Sequence, residues 1–155
     1  MMTELSVFSE NYPNVVSGFR RIKKNQGLSV FATNHYSEFE QNRRSLSQLI
    51  SHLNSNPIFI DEVTSRVSAR NIDDALRFVS YLPANKILPK VAPDGEGGVV
   101  FAWEGLESDT LVVIEKGFIS AVIRATRPDA EYFHNIPFDC DQIPSEILQA
   151  IPALR

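Results

Sequence analysis

The segment from Gly97 to Arg124 restricts the fold most, because it contains three consecutive β-strand patterns separated by two turns. Val99 to Trp103 alternates heavier and lighter side chains, as a strand with one buried face does. Leu111 to Glu115 and Phe118 to Arg124 supply two further strands. The Lys116-Gly117 pair between them suits a short turn, because glycine accepts a positive φ without steric cost. The segment therefore predicts an antiparallel meander.

Apolar residues at helical spacing predict two helices in the first third of the chain. The first extends from about Pro13 to Asn25, since proline is tolerated in a first helical turn. The second begins at a capping box of Ser37 and Glu40 and ends near Asn54-Ser-Asn-Pro57. Leu28 to Thr33, between these helices, alternates only weakly and predicts a short strand or an extended connection.

A third helix is predicted from Asn71, as its cap, to Leu82-Pro83, where the helical pattern stops. Residues 58–70 mix strand and helix patterns and favour neither. Prolines and glycines are concentrated from Ala84 to Gly98, and both residue types interrupt periodic structure. This composition predicts an ordered loop that links helices to sheet.

The end of the chain completes a single α+β domain. A fourth strand is predicted around Tyr132 to Ile136, and Pro144 opens a short terminal helix that Pro152 stops. We expect N-terminal helices packed on an antiparallel sheet of about four strands, closed by that short helix. The domain covers residues 1–155, with a helical half at 1–83, the loop at 84–98 and a β half at 99–155.

The central strands of the predicted sheet are apolar on both faces. Val112 and Ile114 alternate with Leu111 and Val113, which are equally apolar. The N-terminal helices can cover one face. The other face is covered either by the C-terminal helix and loops or by a homodimer or protein partner.

Charge and cysteine content narrow the class of protein. The formal net charge of −4 is modest and excludes a strongly basic nucleic-acid binder. Up to Arg77 the chain has 9 Lys+Arg and 8 Asp+Glu, or +1, which leaves 6 and 11, or −5, for the remainder. Cys140 is the only cysteine, so an intramolecular disulfide is ruled out and a reducing cytoplasm is favoured. No leader or membrane segment is predicted, because no apolar stretch approaches the roughly 20 residues of a membrane helix.

Several motifs of the second half resemble those of a group of small, mostly uncharacterised bacterial proteins. The group shares a helix ending in Leu-Pro, a proline-rich loop, an acidic-Gly turn before a Phe-x-Trp strand end, and a closing segment rich in Pro-Phe-Asp and Ile-Pro. The matching residues are Leu82-Pro83, Pro89 with Pro93, Glu96-Gly97, Phe101-Ala-Trp103, Ile136-Pro-Phe-Asp139 and Ile143-Pro-Ser-Glu-Ile-Leu148.

This resemblance covers about residues 71–151, and its motifs are structural. Gly97-Gly98 with Ala102 departs from the more acidic strand of the group. The resemblance implies a bacterial or phage origin and no particular activity. Short proteins of this kind are often encoded beside a second small gene, as in toxin–antitoxin or phage-defence pairs.

No residue pattern predicts a catalytic, metal or cofactor site. Cys140 lies between Asp139 and Asp141, and two carboxylates disfavour the thiolate that a nucleophile requires, even with His134 nearby in the sequence. The glycines before the first strand lack the Lys and Ser/Thr of a phosphate loop. The three histidines, His35, His52 and His134, are too dispersed for a recognised ligand spacing. A nuclease that uses carboxylates would need Asp or Glu and Lys brought together by the sheet, and Glu104, Glu115 and Lys116 are the candidates. The simpler interpretation is that these residues are solvated strand ends and part of a turn.

Basic residues of the first two helices support an alternative prediction, a nucleic-acid-binding regulator. They would contact phosphates if the two helices present them on one surface. Phe19 and Ile22 interleave with the first group, as expected for an amphipathic helix whose basic face is solvated. The basic residues are Arg20, Arg21, Lys23, Lys24, Arg43 and Arg44.

The main prediction is a non-catalytic protein-binding module. Trp103 is the only tryptophan, and tryptophan and arginine are frequent interface anchors. It forms the predicted partner-binding patch with Arg124, Arg127, Tyr132 and His134, and packing of Trp103 in the core is the competing interpretation. We expect a bacterial or phage protein that masks a surface of its partner, as an antitoxin, immunity protein or inhibitor does. An enzyme is the least favoured class.

Overall fold

A computed structural model of the chain describes residues 28–56, 65–105, 109–139 and 141–154, with side chains from residue 35 onward. The helix predicted from Pro13 to Asn25 lies outside these residues, and so does Cys140. Within the described residues, helices pack on one face of an antiparallel sheet and a short helix closes the chain. The predicted α+β fold class is confirmed.

The sheet is a five-stranded meander in which each strand pairs antiparallel with the next along the chain. Lys116 and Gly117 form the turn in its middle with φ of 52° and 80°, and a two-residue type I′ turn requires positive φ at both positions. The three strands predicted between Gly97 and Arg124 are confirmed, as is the fourth. The strands are β1 Lys90–Pro93, β2 Val99–Trp103, β3 Thr110–Glu115, β4 Phe118–Ile123 and β5 Glu131–Pro137.

β1 lies inside the segment predicted as a loop, so the expected number of about four strands is one too few. Pro89 precedes the strand and Pro93 is its last residue. Proline is compatible with an edge strand because it need not donate to a ladder there. Val91 and Ala92 between the prolines are buried and pair with β2.

α1 occupies Leu28–Ser51, and a 3₁₀ turn follows at Leu53–Ser55. The predicted start at Ser37 is therefore wrong, because Leu28 to Thr33 is helical and is neither a strand nor an extended connection. Arg43 Nη2 donates to the two carboxylate oxygens of Glu40, at 2.5 Å and 2.7 Å. Glu40 therefore pairs with Arg43 and does not cap the helix. The apolar side chains of this segment pack in the core, namely Phe39, Leu46, Leu49, Ile50 and Leu53.

α2 occupies Ala69–Ser80 and begins at a cap other than the predicted one. Its N-cap is Ser68, whose hydroxyl accepts a hydrogen bond from the N–H of Asn71 at 3.1 Å. Asn71 lies in the first turn and is only 3% exposed. α3, Ser145–Ala150, follows Pro144 and confirms the short terminal helix.

The three helices share one core on the same face of the sheet. Phe78 of α2 stacks on Phe101 of β2 with ring centroids 4.9 Å apart. Ile147 of α3 belongs to the same buried cluster, and the hydroxyl of Thr110 donates to the carbonyl of Ala150 at 3.3 Å. Because Thr110 lies on the core side of β3, α3 packs on the same face as α1 and α2.

Candidate protein-binding surface

The outer face of the sheet, which points away from the core helices, becomes more exposed from β2 toward β5. The strand register aligns Ala102, Leu111, Val122 and Tyr132 in one row across this face. Ala102 is 2% exposed, Leu111 and Val122 are half-buried, and Tyr132 is 61% exposed. The apolar surface available to a partner is therefore concentrated on β4 and β5.

Among the described residues, Phe118 and Tyr132 are the exposed large apolar side chains of the outer face. Phe118 opens β4 and is 42% exposed, and the ring of Tyr132 stacks on His134 with centroids 6.1 Å apart. Val122, the register partner of Tyr132, lies four residues beyond Phe118, about 13 Å along an extended strand. We define the outer β4–β5 surface as Phe118, Ser120, Val122, Tyr132 and His134.

The alternation along β4 explains why this surface is apolar. Ile119 and Ala121 point into the core, where they are 0% and 2% exposed. Ser120 and Val122 lie between and beyond them on the outer face, because successive strand residues point to opposite sides. Phe118 is missing from the patch predicted from the sequence, although it is the first residue after the turn and lies on the outer side of an apolar strand.

Arg124 is held within the turn that joins β4 to β5. Its guanidinium pairs with the carboxylates of Asp129, at 3.0 Å, and Glu131, and it also donates to the backbone carbonyl of Asp129 at 3.1 Å. The hydrogen bond to Glu131 raises the pKa of Arg124 above its ordinary value. The charge of Arg124 is therefore neutralised locally, and its main contact is the turn itself.

The structure separates Trp103 from the other residues of the predicted patch. Trp103 ends β2 on the core face, is 3% exposed, and donates from Nε1 to the carbonyl of Ile87 at 2.7 Å. Tyr132 and His134 lie together on the outer face, and Arg127 is exposed in the turn that precedes them. Trp103 is thus packed in the core, as the competing interpretation predicts.

The basic residues of the alternative prediction fall into two groups. Arg20, Arg21, Lys23 and Lys24 lie outside the described residues. Arg43 is engaged by Glu40, donates to the carbonyl of Ser80 at 3.0 Å, and lies 5.6 Å from the centre of the Phe39 ring. Arg44 is exposed and lines a groove of about 380 Å³ between α1 and α2.

The three histidines do not converge. His35 is on α1, His52 donates from Nδ1 to the Gln48 carbonyl at 2.8 Å beyond the end of that helix, and His134 is on β5. Within the ranges that the structure describes, no three His, Cys, Asp or Glu side chains are grouped to hold a metal ion. Asp139 and Asp141 are both exposed.

The strand-end carboxylates considered for a nuclease are occupied by ion pairs. Glu104 accepts from Lys90 Nζ at 2.7 Å, and Glu115 pairs with Lys116 Nζ at 2.9 Å. The hydrogen bond to Glu115 raises the pKa of Lys116 above its ordinary value. The two carboxylates are thus in separate pairs at different ends of the sheet.

Comparison with protein-family models, curated proteins and solved structures gave no match to this chain. The resemblance to small bacterial proteins therefore stays a prediction. None of the helices in the described residues is both long and apolar enough to cross a membrane.

Proposed function

We propose that this chain is a non-catalytic protein-binding module of bacterial or phage origin. In this proposal it acts as an antitoxin, immunity protein or inhibitor does, by covering a surface of a partner protein in the cytoplasm. The observation that carries the proposal is the outer β4–β5 surface, where Phe118 and Tyr132 are 42% and 61% exposed on one sheet face.

The exposed rings supply the energy that such an interface needs. Complete burial of a large apolar side chain is worth about 1.5–3 kcal/mol, and tyrosine is among the residues that most often dominate interfaces. Val122 and Ser120 between the two rings are half-buried and small. A partner that contacts both rings would therefore meet a nearly flat strip about 13 Å long.

The charge near this strip favours a protein partner over nucleic acid. The guanidinium of Arg124, in the turn between β4 and β5, is neutralised by Asp129 and Glu131. Neutralised side chains release no counterions from a phosphate backbone, and such release drives nucleic-acid affinity. On α1, Arg43 is likewise paired with Glu40.

The test is affinity capture of the tagged full chain from its own cells, followed by binding of the purified partner to defined variants. Phe118→Ala with Tyr132→Ala should weaken partner binding by about tenfold to a hundredfold, because two anchoring rings are removed. Isothermal titration calorimetry measures the loss, and far-UV circular dichroism checks that the variant is folded.

Tyr36 and Tyr81 provide matched controls because they are exposed tyrosines on or beside the helices. Their exposures of 58% and 44% are close to those of Tyr132 and Phe118. The double variant Tyr36→Ala with Tyr81→Ala should bind the partner as the wild type does. Equal losses in both double variants would contradict the outer face as the binding surface.

The material that co-purifies in the affinity capture distinguishes the proposed function from the alternative, a nucleic-acid-binding regulator. Co-purified nucleic acid whose binding falls steeply with added salt, and is lost with Arg44→Ala, would favour the regulator. A stoichiometric protein whose binding depends on Phe118 and Tyr132 would support the module.

A further inference from the structure

β5 is the last strand of the sheet in the described residues, and one of its edges faces no neighbouring strand among them. The two-residue turn at Lys116-Gly117 determines which backbone groups of β4 point toward β5. Glu115 and Phe118, which flank the turn, bond to each other across β3 and β4. Every second residue of β4 from Ile119 onward therefore directs its N–H and C=O groups toward β5.

The register then identifies the backbone groups of β5 that point away from the sheet. Glu131 and Phe133 are the partners of β4 residues that face β5. Tyr132 lies between them and directs its N–H and C=O groups outward, and His134 continues this alternation. Among the described residues, none bonds to the backbone of Tyr132 or His134 from that side.

The part of β5 with unpaired outward backbone groups ends immediately after His134. The register shifts there, and Asn135 has φ of 50° and donates its N–H to the hydroxyl of Ser120 at 3.1 Å. Pro137 has no N–H to offer. The unpaired groups are thus two donors and two acceptors, placed symmetrically on either side of Phe133.

We propose that β5 pairs antiparallel with β5 of a second copy of this chain, about a two-fold axis through Phe133. In this register Tyr132 of each copy lies opposite His134 of the other, and each such pair exchanges two hydrogen bonds. The two pairs use all the free backbone groups of the stretch. The two sheets then join into one continuous sheet of ten strands.

The side chains agree with this register. Each Tyr132 ring meets a His134 ring on the outer face, and cross-strand aromatic pairs stabilise a sheet. Phe133 meets its own copy in the closer type of cross-strand pair. Glu131 lies opposite Asn135, so no like charges face each other. An unrelated strand can satisfy the hydrogen bonds, but a second copy also matches the side chains.

The opposite edge of the sheet is not available in the same way. β1 has only four residues, ends in Pro93, and its central residues Val91 and Ala92 are 2% and 5% exposed. Short edge strands with proline resist further pairing. The pairing therefore stops at two copies and does not continue into a fibre.

The mass of the purified full chain in solution tests the pairing, by light scattering on a size-exclusion column from about 1 to about 100 μM. The wild type should have twice the monomer mass of 17.4 kDa. Tyr132→Lys with His134→Lys opposes like charges at both pairs and should raise the dimer dissociation constant at least about tenfold. Tyr132→Glu with His134→Lys opposes unlike charges and should restore the dimer.

Tyr36→Lys is the matched control, since Tyr36 is exposed on α1, far along the chain from the edge of β5. It should leave the dimer intact. A wild type that is monomeric over the whole concentration range would overturn the pairing. The pairing would also be overturned if Tyr132→Lys with His134→Lys raised the dimer dissociation constant no more than Tyr36→Lys does.

A cross-link tests the register without depending on the charged variants. Phe133→Cys in a Cys140→Ser background places the only cysteine of each copy on the two-fold axis, at a spacing that a disulfide can bridge. Mild oxidation should give a covalent dimer, whereas Tyr36→Cys in the same background should give no covalent dimer. A folded Phe133→Cys variant that does not cross-link contradicts the register.

The pairing and the proposed function can fail separately. The pairing is measured on the purified chain alone, and Phe118 takes no part in it. A monomer whose partner binding still depends on Phe118→Ala removes the pairing and leaves the binding module. A dimer that captures no partner removes the binding module and leaves the pairing.

Discussion

Asn71 joins three parts of the fold through one side chain. Its Nδ2 donates to the carbonyl of Gly97 at 2.8 Å, and its Oδ1 accepts from the backbone N–H of Lys116 at 2.9 Å. These contacts link α2 to the β1–β2 loop and to the β3–β4 turn. A buried amide is tolerated here because both of its polar atoms are satisfied.

Asn71→Ala should lower the free energy of unfolding by about 1–3 kcal/mol, since it removes both hydrogen bonds: the N–H of Lys116 loses this acceptor, and the Gly97 carbonyl keeps only the N–H of Ser68, at 3.2 Å. Asn71→Asp should also destabilise, because it keeps the acceptor for Lys116 but loses the donor for Gly97. Urea denaturation measures both changes. Asp73→Ala, at an exposed position of the same helix, is the control and should stay within about 0.5 kcal/mol of the wild type. A similar stability for Asn71→Ala and the control would refute the linking role.

At the scale of elements, the β1–β2 connection is built around one carboxylate. Asp94 Oδ1 accepts from the N–H of Glu96 at 2.7 Å and from that of Gly98 at 2.8 Å. A Cβ at Gly98 would collide with Asp94 Oδ2 and lie 2.9 Å from the carbonyl of Ile114. The loop thus requires glycine for space at this position.

Gly98→Ala should therefore cost at least about 2 kcal/mol, because the alanine either displaces Asp94 or pushes β2 away from β3. Gly95→Ala is the matched comparison. Gly95 has φ of 89° but nothing within 4 Å of an added Cβ, so only backbone strain, about 1 kcal/mol, opposes the change. Thermal unfolding of the two variants compares them, and a larger loss for Gly95→Ala would show that space is not the constraint.

The elements that sequence periodicity predicted correctly are those with one dominant signal. β3 and β4 flank a glycine turn, and their alternation determines their pairing. The sequence does not indicate β1, because only two apolar residues, Val91 and Ala92, lie between Pro89 and Pro93. The composition of this segment therefore resembles that of a loop. The sequence does not indicate the start of α1, because Ser37 and Glu40 form a capping pattern inside the helix, where Glu40 pairs with Arg43.

The candidate surface was predictable only in part. Tyr132 and His134 were identified from residue type, and the structure places their rings together. Residue type also favours Trp103 as an interface residue, but Trp103 lies on the side of β2 that faces Phe78. Residue type does not say which sheet face the helices cover, and that choice depends on long-range packing of α2 and α3.

At the scale of the whole molecule, the described elements outside the sheet lie on one of its faces. The described helices and the C-terminal segment all pack on one face of the sheet, where Ile87 donates its N–H to the carbonyl of Pro152 at 2.9 Å. Lys86 Nζ donates to the carbonyl of Ile151 at 2.9 Å and fixes the end of α3. On the opposite face of β4 and β5, Phe118 and Tyr132 are 42% and 61% exposed in the described part of the chain.

Trp103 reports on this core because it is the only tryptophan of the chain. Its ring lies 6.5 Å from Phe78, and its Nε1 is bonded to the carbonyl of Ile87. Trp103→Ala should cost about 3–5 kcal/mol, because it leaves a large cavity. Trp103→Phe should cost less, since it fills most of the space and loses chiefly the hydrogen bond.

Guanidinium denaturation followed by circular dichroism measures both variants. In the wild type, tryptophan emission should shift to the red in the same transition, since the ring is 3% exposed in the folded chain. The partner affinity of folded Trp103→Phe should equal that of the wild type. A stable Trp103→Ala with weakened partner binding would move Trp103 from the core to the interface, and would contradict the assignment of the outer face as the binding side.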